Sequence, residues 1–196
     1  MLSTIEKEYV YDTYQCIFQH FDKTRHSVWK CVKKFIDSIP PSSSLLEIGC
    51  GNGKNLQYRK DLNSVGVDFV PNFVRLCKEK GLNVLEANAL DLPFPDETFD
   101  FAISIAVFHH LSTEERRIRA LREMKRVLKK GGRGLVVCWG IKKGDQFVEW
   151  KRTKKGNRYY HFYDENSFQE YTQKIHSVSN KISWEEGNWV FEFTSI

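Results

Sequence analysis

The 196-residue chain lacks several features that would place it in a common protein class. No apolar run approaches the ~20 residues of a membrane-spanning helix, and the charged N-terminal stretch 1–14 is unlike a signal peptide. The five cysteines are scattered and form no C-x-x-C pair. This pattern favours reduced thiols in a cytoplasmic protein with no zinc site of its own.

Internal repeats, low-complexity tracts and long linkers are also missing. The length suits one domain, so we expect a single domain over 1–196, with N-terminal helices over 1–41 and the core over 42–196. A net charge of +5 permits an anionic partner without requiring one.

A third absence concerns the glycine-rich segment Glu47–Gly53, which follows the apolar pair Leu45-Leu46. A dinucleotide site needs G-x-G-x-x-G, whereas the glycines here are Gly49, Gly51 and Gly53, and Lys54 occupies the position of the third fingerprint glycine. The spacing argues against NAD and for a ligand without a pyrophosphate. S-adenosylmethionine fits, because its cationic amino-acid end suits a loop preceded by Glu47.

Apolar periodicity predicts an alternation of strands and helices. Helices are expected over 3–22, 26–39, Lys54–Leu62, Pro71–Lys80 and Thr113–Lys130, the last ended by Gly131-Gly132, and strands over Leu45–Gly49, Val65–Asp68, Leu82–Ala87, Phe99–Ile105 and Gly134–Trp139. A C-terminal hairpin is expected from Val178–Glu185 and Trp189–Thr194. The pattern indicates an α/β, Rossmann-like fold with a mostly parallel sheet, helices on both faces and a C-terminal antiparallel hairpin.

Polar residues after the predicted strands are candidates for cofactor binding. Asp68 ends the second strand where related folds place an acid for ribose hydroxyls, although it could instead be a helix N-cap or a surface carboxylate before Pro71. Asn88-Ala89 follows the third strand and could contact an adenine edge, or Asn88 could be a turn residue. Ile105, at the end of the fourth strand, could pack against the cofactor.

Several strings resemble one family closely. They are Ile105-Ala106-Val107-Phe108-His109-His110-Leu111-Ser112-Thr113 with Glu115-Arg116-Arg117, Asn52-Gly53-Lys54, His20-Phe21 with Thr24-Arg25 and Trp29, Phe147-Val148 with Trp150, Arg158-Tyr159-Tyr160-His161, and Asn188-Trp189. They resemble the eukaryotic tRNA methyltransferases that esterify 5-carboxymethyluridine at the anticodon wobble position, a module also found in an AlkB-like fusion protein. The sequence departs from that family at Asn88, usually aspartate, at Glu149, usually proline, and in a shorter stretch between Trp150 and Arg158.

The resemblance implies a class I S-adenosylmethionine-dependent methyltransferase that acts on the anticodon loop of tRNA. It also implies a small zinc-binding activator subunit as partner in a heterodimer. Because an uncovered apolar edge strand is a liability, Leu82-Asn83-Val84-Leu85 is the expected contact for that subunit.

The chemistry needs no nucleophile–base pair, because a carboxylate with a pKa near ~4 is already ionised at neutral pH. The resemblance therefore suggests Arg25 for gripping the carboxylate or a phosphate, with His109 and His161 as further catalytic candidates. Arg25 could instead form a surface salt bridge, and one of His109 and His110 could be structural. Adjacent histidines without other ligands do not indicate a metal site.

Substrate or RNA contacts are expected from Trp150, Lys154, Lys155, Arg158 and Tyr160. The alternatives are that Trp150 and Tyr160 belong to the core and that the basic run 151–158 is a solvated loop. Two other functions stay open at this stage: a small-molecule methyltransferase, and a non-catalytic RNA-binding scaffold that kept the fold.

Overall fold

A seven-stranded sheet forms the centre of the molecule. The computed structural model describes residues 2–150, 156–175 and 180–196. The strands are β1 (Ser44–Ile48), β2 (Asn63–Asp68), β3 (Val84–Glu86), β4 (Phe99–Ile105), β5 (Leu128–Trp139), β6 (Gly144–Glu149), β7 (Asn157–Phe162), β8 (Asn180–Glu185) and β9 (Asn188–Thr194). The sheet order is β3-β2-β1-β4-β5-β9-β8, and β6 and β7 form a separate antiparallel pair. The strands β1 to β5 pair in parallel and β9 is antiparallel to β5 and β8, so the predicted α/β class is confirmed.

The helices lie before the first strand and between later strands along the chain. They are α1 (Thr4–Glu6), a π-helix (Lys7–Asp12), α2 (Thr13–Asp22), α3 (Lys30–Asp37), α4 (Pro71–Glu79), a 3-10 turn (Phe108–His110), α5 (Glu114–Val127) and α6 (Glu165–Gln173). No helix among the described residues has both the length and the apolar character to cross a bilayer. The expected division at residues 41 and 42 stays a prediction.

Apolar side chains cover both faces of the sheet. Successive strand residues point to opposite faces, and in β1 Leu46 joins the core under α5 and α6 whereas Leu45 joins the core under α3. In β4, Ala102 and Ile103 divide between the same two cores. Burial on both faces explains why β1 reads as a continuous apolar run rather than as an alternation.

The strand order reverses beside β1, which lies between β2 and β4. In open α/β sheets, ligands bind outside the carboxyl ends of the strands at such a switch point. The glycine-rich segment Gly49–Gly53 follows β1 directly and therefore lies at this position.

The predicted helix Lys54–Leu62 is wrong, because the segment consists of turns. One helical bond forms, from the Gln57 N–H to the Gly53 carbonyl (3.1 Å), but the next N–H, that of Tyr58, donates to Asn55 (3.1 Å). Side chains then hold the segment elsewhere: Arg59 donates to the Ile36 and Ile39 carbonyls at 3.0 and 3.2 Å. Periodicity of apolar positions gives no sign of such tertiary bonds.

The predicted helix Thr113–Lys130 ends early, at Val127. The N–H groups of Glu97 and Thr98 donate to the Arg126 and Val127 carbonyls (both 2.9 Å), which removes the acceptors that further helix would use. Gly131-Gly132 therefore lies within β5, at an irregularity in the β4–β5 register, rather than ending the helix.

Other boundaries shift less. The helix predicted over 26–39 begins at Lys30, after Trp29 in extended conformation, and the strand predicted over Leu82–Ala87 is limited to Val84–Glu86. The C-terminal hairpin is present, with Glu186 and Gly187 at φ 49° and 86° in a two-residue turn. The predicted start at Val178 lies outside the described residues.

Candidate active site

A cavity lies beside the carboxyl ends of β1, β2 and β4 and is bordered by side chains of the N-terminal helices. It contains about 1170 Å³ of space free of protein atoms, its open mouth included. Residues from seven regions of the chain line it, among them Tyr14, Arg25, Glu47, Asp68, Asn88, His109, Trp139, Arg158 and Tyr160. The space after β1 is therefore not filled by packed side chains, and it is open to solvent beside the glycine segment.

Two glycines of this segment cannot be replaced by a residue that has a side chain. Gly49 has φ 73°, and a Cβ atom there would lie 2.4 Å from a methyl group of Val107. Gly53 has φ 74°, and its Cβ would lie 2.3 Å from Leu82. Both positions combine a left-handed backbone with close packing, which only glycine tolerates.

Glu47 places a buried carboxylate at the start of this segment. Its Oε1 accepts a hydrogen bond from the Asn55 amide at 2.6 Å, and its Oε2 has no partner among the described residues. Burial raises the pKa of Glu47 to about 8, an effect that the Asn55 bond and nearby Lys54 oppose. A buried carboxylate oxygen with an unused lone pair suits a cationic ammonium group.

Asp68 uses both carboxylate oxygens to hold the backbone. Its Oδ2 accepts from the Gly51 N–H at 2.8 Å and its Oδ1 from the Val70 N–H at 2.9 Å. Burial raises the pKa of Asp68 to about 6, against these hydrogen bonds. Asp68 therefore fixes the glycine segment, and its predicted contact with a ribose stays a prediction.

Asn88, Ala89 and Ile105 also line the cavity, and their predicted contact with the cofactor stays a prediction. The Asn88 side chain has a local role, since its Oδ1 accepts from the Leu90 N–H at 3.0 Å and closes a turn. The following residue after β4, Ala106, is a non-glycine residue at φ 58°. Such backbone strain is concentrated at functional sites.

His109 and His110 differ in how their ring nitrogens are used. In His110, Nδ1 donates to the Tyr159 carbonyl (2.6 Å) and Nε2 accepts from the Tyr14 hydroxyl (3.0 Å). In His109, Nδ1 accepts from the Trp139 N–H (3.0 Å), which places the proton on Nε2, and this buried Nε2 has no partner among the described residues. Burial lowers the pKa of both, to about 3 for His110, so both rings are neutral.

Arg25 and Arg158 form a cationic wall against aromatic rings. The guanidinium of Arg158 lies 4.6 Å from the ring centre of Trp150 and 5.1 Å from that of Tyr160, and Arg25 lies 5.4 Å from Trp150. Arg25 and Trp150 are thus in contact, and the Trp150 indole N–H donates to His20 at 3.1 Å. The buried Trp150 therefore packs against both guanidinium groups.

Of these two arginines, Arg158 has the unusual environment for a charged side chain. It is 6% exposed, its Nε has no hydrogen-bond partner, and no carboxylate pairs with it among the described residues. The residues outside the description contain no Asp or Glu. Because a buried charge is expensive unless it is paired, Arg158 is suited to an anionic ligand in the cavity.

His161 is not brought to the cavity. Alternation along β7 points Arg158 and Tyr160 toward the cavity, whereas Tyr159 and His161 contact Asp145, with His161 Nδ1 2.7 Å from its carboxylate. His161 does not line the cavity, and its predicted catalytic role stays a prediction. The predicted phosphate contacts Lys154 and Lys155 lie outside the described residues.

The sequence analysis did not predict the contact of Glu6 with the start of α5, beside the cavity. The buried Glu6 accepts from the Ser112 N–H (2.9 Å) and from Arg116 (Nε, 2.7 Å), which ties α1 to the start of α5. Burial opposes ionisation of Glu6, but these bonds lower its pKa overall. The Ser3-x-x-Glu6 capping box was the available signal.

Tyr14 and Trp139 were missed as well. Tyr14 reaches His110 across the cavity, and Trp139 stacks on Tyr160 with ring centres 4.9 Å apart and planes 8° apart. Each contact joins residues that are distant in sequence, so no local pattern indicated it. Among the described residues, no cluster of three or more His, Cys, Asp or Glu side chains could hold a metal ion.

Known proteins resemble this chain in sequence and in fold. A family model described as a methyltransferase domain matches residues 46–136. The tRNA (carboxymethyluridine(34)-5-O)-methyltransferase alkbh8 of Xenopus tropicalis is 43% identical over 152 residues, which cover 78% of this chain and 23% of that protein. The tRNA (carboxymethyluridine(34)-5-O)-methyltransferase of Saccharomyces cerevisiae is 37% identical over 167 residues, 78% of this chain and 60% of that protein. The chain thus spans about a quarter to three-fifths of these relatives.

Solved structures show the same fold. An S-adenosylmethionine-dependent methyltransferase from Methanosarcina mazei has a TM-score of 0.71 at 21% identity, covering 87% of this chain and 99% of that one. The complex between the Haloferax volcanii Trm112 methyltransferase activator and its methyltransferase gives 0.68 at 16% identity, covering 96% of this chain and 98% of that one. The S-adenosylmethionine-dependent methyltransferase fold expected from the glycine spacing is confirmed, and about 78% of the chain is similar in sequence to tRNA (carboxymethyluridine(34)-5-O)-methyltransferases.

Proposed function

We propose that the chain methylates the carboxylate of 5-carboxymethyluridine at the wobble position of a tRNA anticodon, which gives the ester 5-methoxycarbonylmethyluridine. The observation that carries this proposal is Arg158, a buried guanidinium without a carboxylate partner among the described residues, in the same cavity as the glycine segment. The reaction needs the anionic carboxylate of the substrate to be held beside the cofactor, and a buried guanidinium can hold it there. The names of the relatives support the same substrate.

The cofactor site fits S-adenosylmethionine. The unpartnered Oε2 of Glu47 suits the ammonium of its amino-acid end, and the open space between the glycine segment and Asn88 suits an adenosine. Once bound, S-adenosylmethionine supplies a methyl group on a positively charged sulfur that a nucleophile can displace directly.

The protein residues have to position the carboxylate rather than deprotonate it. A carboxylate with a pKa near ~4 is ionised at neutral pH, so the reaction needs cations and donors around it. Arg25 and Arg158 supply planar guanidinium groups suited to bidentate contact with a carboxylate. The neutral His109, whose Nε2 carries the proton, supplies one more donor.

A flat pocket is available for the uracil ring. Tyr160 and Trp139 stack on each other and line the cavity beside His109. Unpaired RNA bases are bound by stacking on such rings. These rings and the N-terminal helices enclose the cavity, and they would also keep water from the reacting carboxylate oxygen.

Nucleoside products distinguish this function from its alternatives. The chain, supplied with its activator, is incubated with S-adenosylmethionine and an anticodon stem-loop that carries 5-carboxymethyluridine, and the digest is analysed by mass spectrometry. We expect the methyl ester, with at least tenfold less turnover of the free nucleoside. Equal turnover of the free nucleoside indicates a small-molecule enzyme, and cofactor binding without ester on any substrate indicates a scaffold.

The activator subunit is proposed to cover the edge strand β3. This strand ends the sheet, and Leu85 on it is 40% exposed. An uncovered apolar edge is a site for pairing with another chain, and a structural relative is in complex with a methyltransferase activator. Leu85→Glu should abolish co-purification with a Trm112-type activator, whereas Lys181→Glu on the opposite edge strand β8 should leave it unchanged.

A further inference from the structure

The excess positive charge of the chain is concentrated in one segment beside the cavity. The chain has 30 Lys and Arg residues against 25 Asp and Glu, which gives its net charge of +5. Residues 20–34 contain only one carboxylate, that of Asp22, but five cations. These cations are Lys23, Arg25, Lys30, Lys33 and Lys34. The rest of the chain is almost balanced overall, so this segment accounts for most of the excess.

Asn52 and Lys54, in and directly after the glycine segment, fix the basic segment in place. The Asn52 amide donates to the Asp22 carboxylate at 3.1 Å and to the Arg25 carbonyl at 2.9 Å. The Lys54 ammonium donates to the Ser27 carbonyl at 3.0 Å. The loop that follows α2 is therefore held against the segment after β1, and its charges have a fixed position beside the cavity.

Cations of like sign meet where this loop reaches the cavity. Arg25 and Lys54 both line the cavity, and Trp29 lines it between them and α3. Burial and the nearby charge of Arg25 lower the pKa of Lys54, against the attraction of Glu47. Because like charges repel, this arrangement is stabilised by an anion that binds beside it.

The basic segment continues from the cavity onto the surface of the molecule. Its other cations are all exposed to solvent: Lys23, Lys30, Lys33 and Lys34. Lys30 pairs with Glu186 at 3.0 Å and Lys33 with Asp37 at 2.8 Å, and exposed pairs of this kind contribute little stability. Lys23 and Lys34 form no ion pair with any described residue. The four ammonium groups are therefore available to a ligand that approaches from solvent.

A row of cations that begins in a cavity and continues on the surface fits a polyanion. A small anion can contact only one or two of these side chains. RNA carries a phosphate at every nucleotide, so one strand can reach the cavity and the exposed lysines at once. Contacts to phosphates fix the position of a nucleic acid without reading its sequence.

We propose that Lys23, Lys30, Lys33 and Lys34, here called the α2–α3 basic face, bind phosphates of the RNA strand that contains the methylated uridine. The inference rests on the proposed function, because it assigns contacts for the backbone of the same RNA. These contacts determine the affinity for RNA and its orientation, whereas the rate of methyl transfer in the bound complex depends on the cavity.

The salt dependence of RNA binding tests the α2–α3 basic face. The double variant Lys23→Gln/Lys34→Gln, with the activator, is titrated with a fluorescent anticodon stem-loop at several salt concentrations. We expect about tenfold weaker binding at about 0.1 M salt, and a slope of log Kd against log salt concentration that is smaller by about 1.4. Each lost phosphate contact on a single strand accounts for about 0.7 of that slope. At saturating stem-loop, kcat should stay within about twofold of the wild type, because only binding has changed.

A second double variant is the matched control. In Lys130→Gln/Lys174→Gln, two exposed lysines are removed near the start of β5, at the opposite end of the sheet from the cavity. The total charge falls equally, but the salt slope and the affinity should stay at wild-type values. Both double variants should keep the wild-type melting temperature and the affinity for S-adenosylmethionine.

The outcomes separate this inference from the proposed function. An unchanged salt slope in the basic-face variant, or an equal loss of slope in the control, overturns the inference and leaves the proposed function standing. Weaker activator binding with an unchanged slope shows that the face binds protein and also overturns it. If no stem-loop yields an ester while the slope is still reduced in the basic-face variant alone, the proposed function is wrong and the phosphate contacts are supported.

Discussion

The Glu47→Gln substitution should remove a pH-dependent cost of the cofactor site. Burial raises the pKa of Glu47 from its ordinary 4.5 to about 8. The folded state therefore binds the proton more tightly than the unfolded state does, so this stabilisation is complete below about pH 4.5 and is lost as the pH rises through 8. At about 1.36 kcal/mol per pKa unit, the wild type should lose about 3 kcal/mol more than Glu47→Gln between pH 5 and pH 8.

Urea unfolding at pH 5 and pH 8 measures this difference. The buried Asp68 is present in both proteins, so its own shift largely cancels in the comparison. Glu170→Gln, an exposed carboxylate, serves as the matched control and should follow the wild type. Calorimetry at pH 7 should show at least tenfold weaker binding of S-adenosylmethionine to Glu47→Gln. If the free energy of unfolding changes equally with pH in the wild type and in Glu47→Gln, the raised pKa of Glu47 is refuted.

Three other substitutions test separate contacts. Arg25→Ala should lower kcat/KM for the stem-loop by about 10–100-fold while cofactor affinity by calorimetry stays within twofold, whereas the aromatic-stacked, exposed Arg75→Ala should change neither. Gly49→Ala should cost about 3 kcal/mol or more in urea unfolding, since φ 73° and the contact with Val107 add, against about 1 kcal/mol for Gly81→Ala, which has φ 73° and open space. Glu6→Gln should cost about 3 kcal/mol at pH 7 because it breaks a buried ion pair, and the difference should shrink as acid protonates Glu6, whose pKa is lowered.

Local sequence patterns were enough to predict β1 and the glycine segment that follows it. The apolar run of β1 and the glycines after it are contiguous, and their chemistry depends on residues within the same segment. Glu47 and Asp68 were found because strand ends in a parallel sheet meet at one edge. The same logic placed His109 after β4, and the structure has it in the 3-10 turn Phe108–His110.

Long-range contacts explain what was missed. The parity of β7, which turns His161 away from the cavity, follows from its pairing with β6, and neither strand was predicted. His110 is a structural residue because Tyr14 and Tyr159 engage both its nitrogens, and these lie 96 and 49 residues away. The segment Lys54–Leu62 has helical spacing, but its side chains bond to other elements. Sequence spacing cannot report such partners.

Ester formation on RNA is the most direct test of the central claim. Wild type and Arg158→Ala, each with the activator, are incubated with labelled S-adenosylmethionine and the 5-carboxymethyluridine stem-loop. We predict label in a base-labile methyl ester for the wild type and at least a 100-fold loss for Arg158→Ala, with cofactor binding retained. Label on a ring nitrogen or a ribose, or full activity of Arg158→Ala, would contradict a carboxylate held by this buried guanidinium.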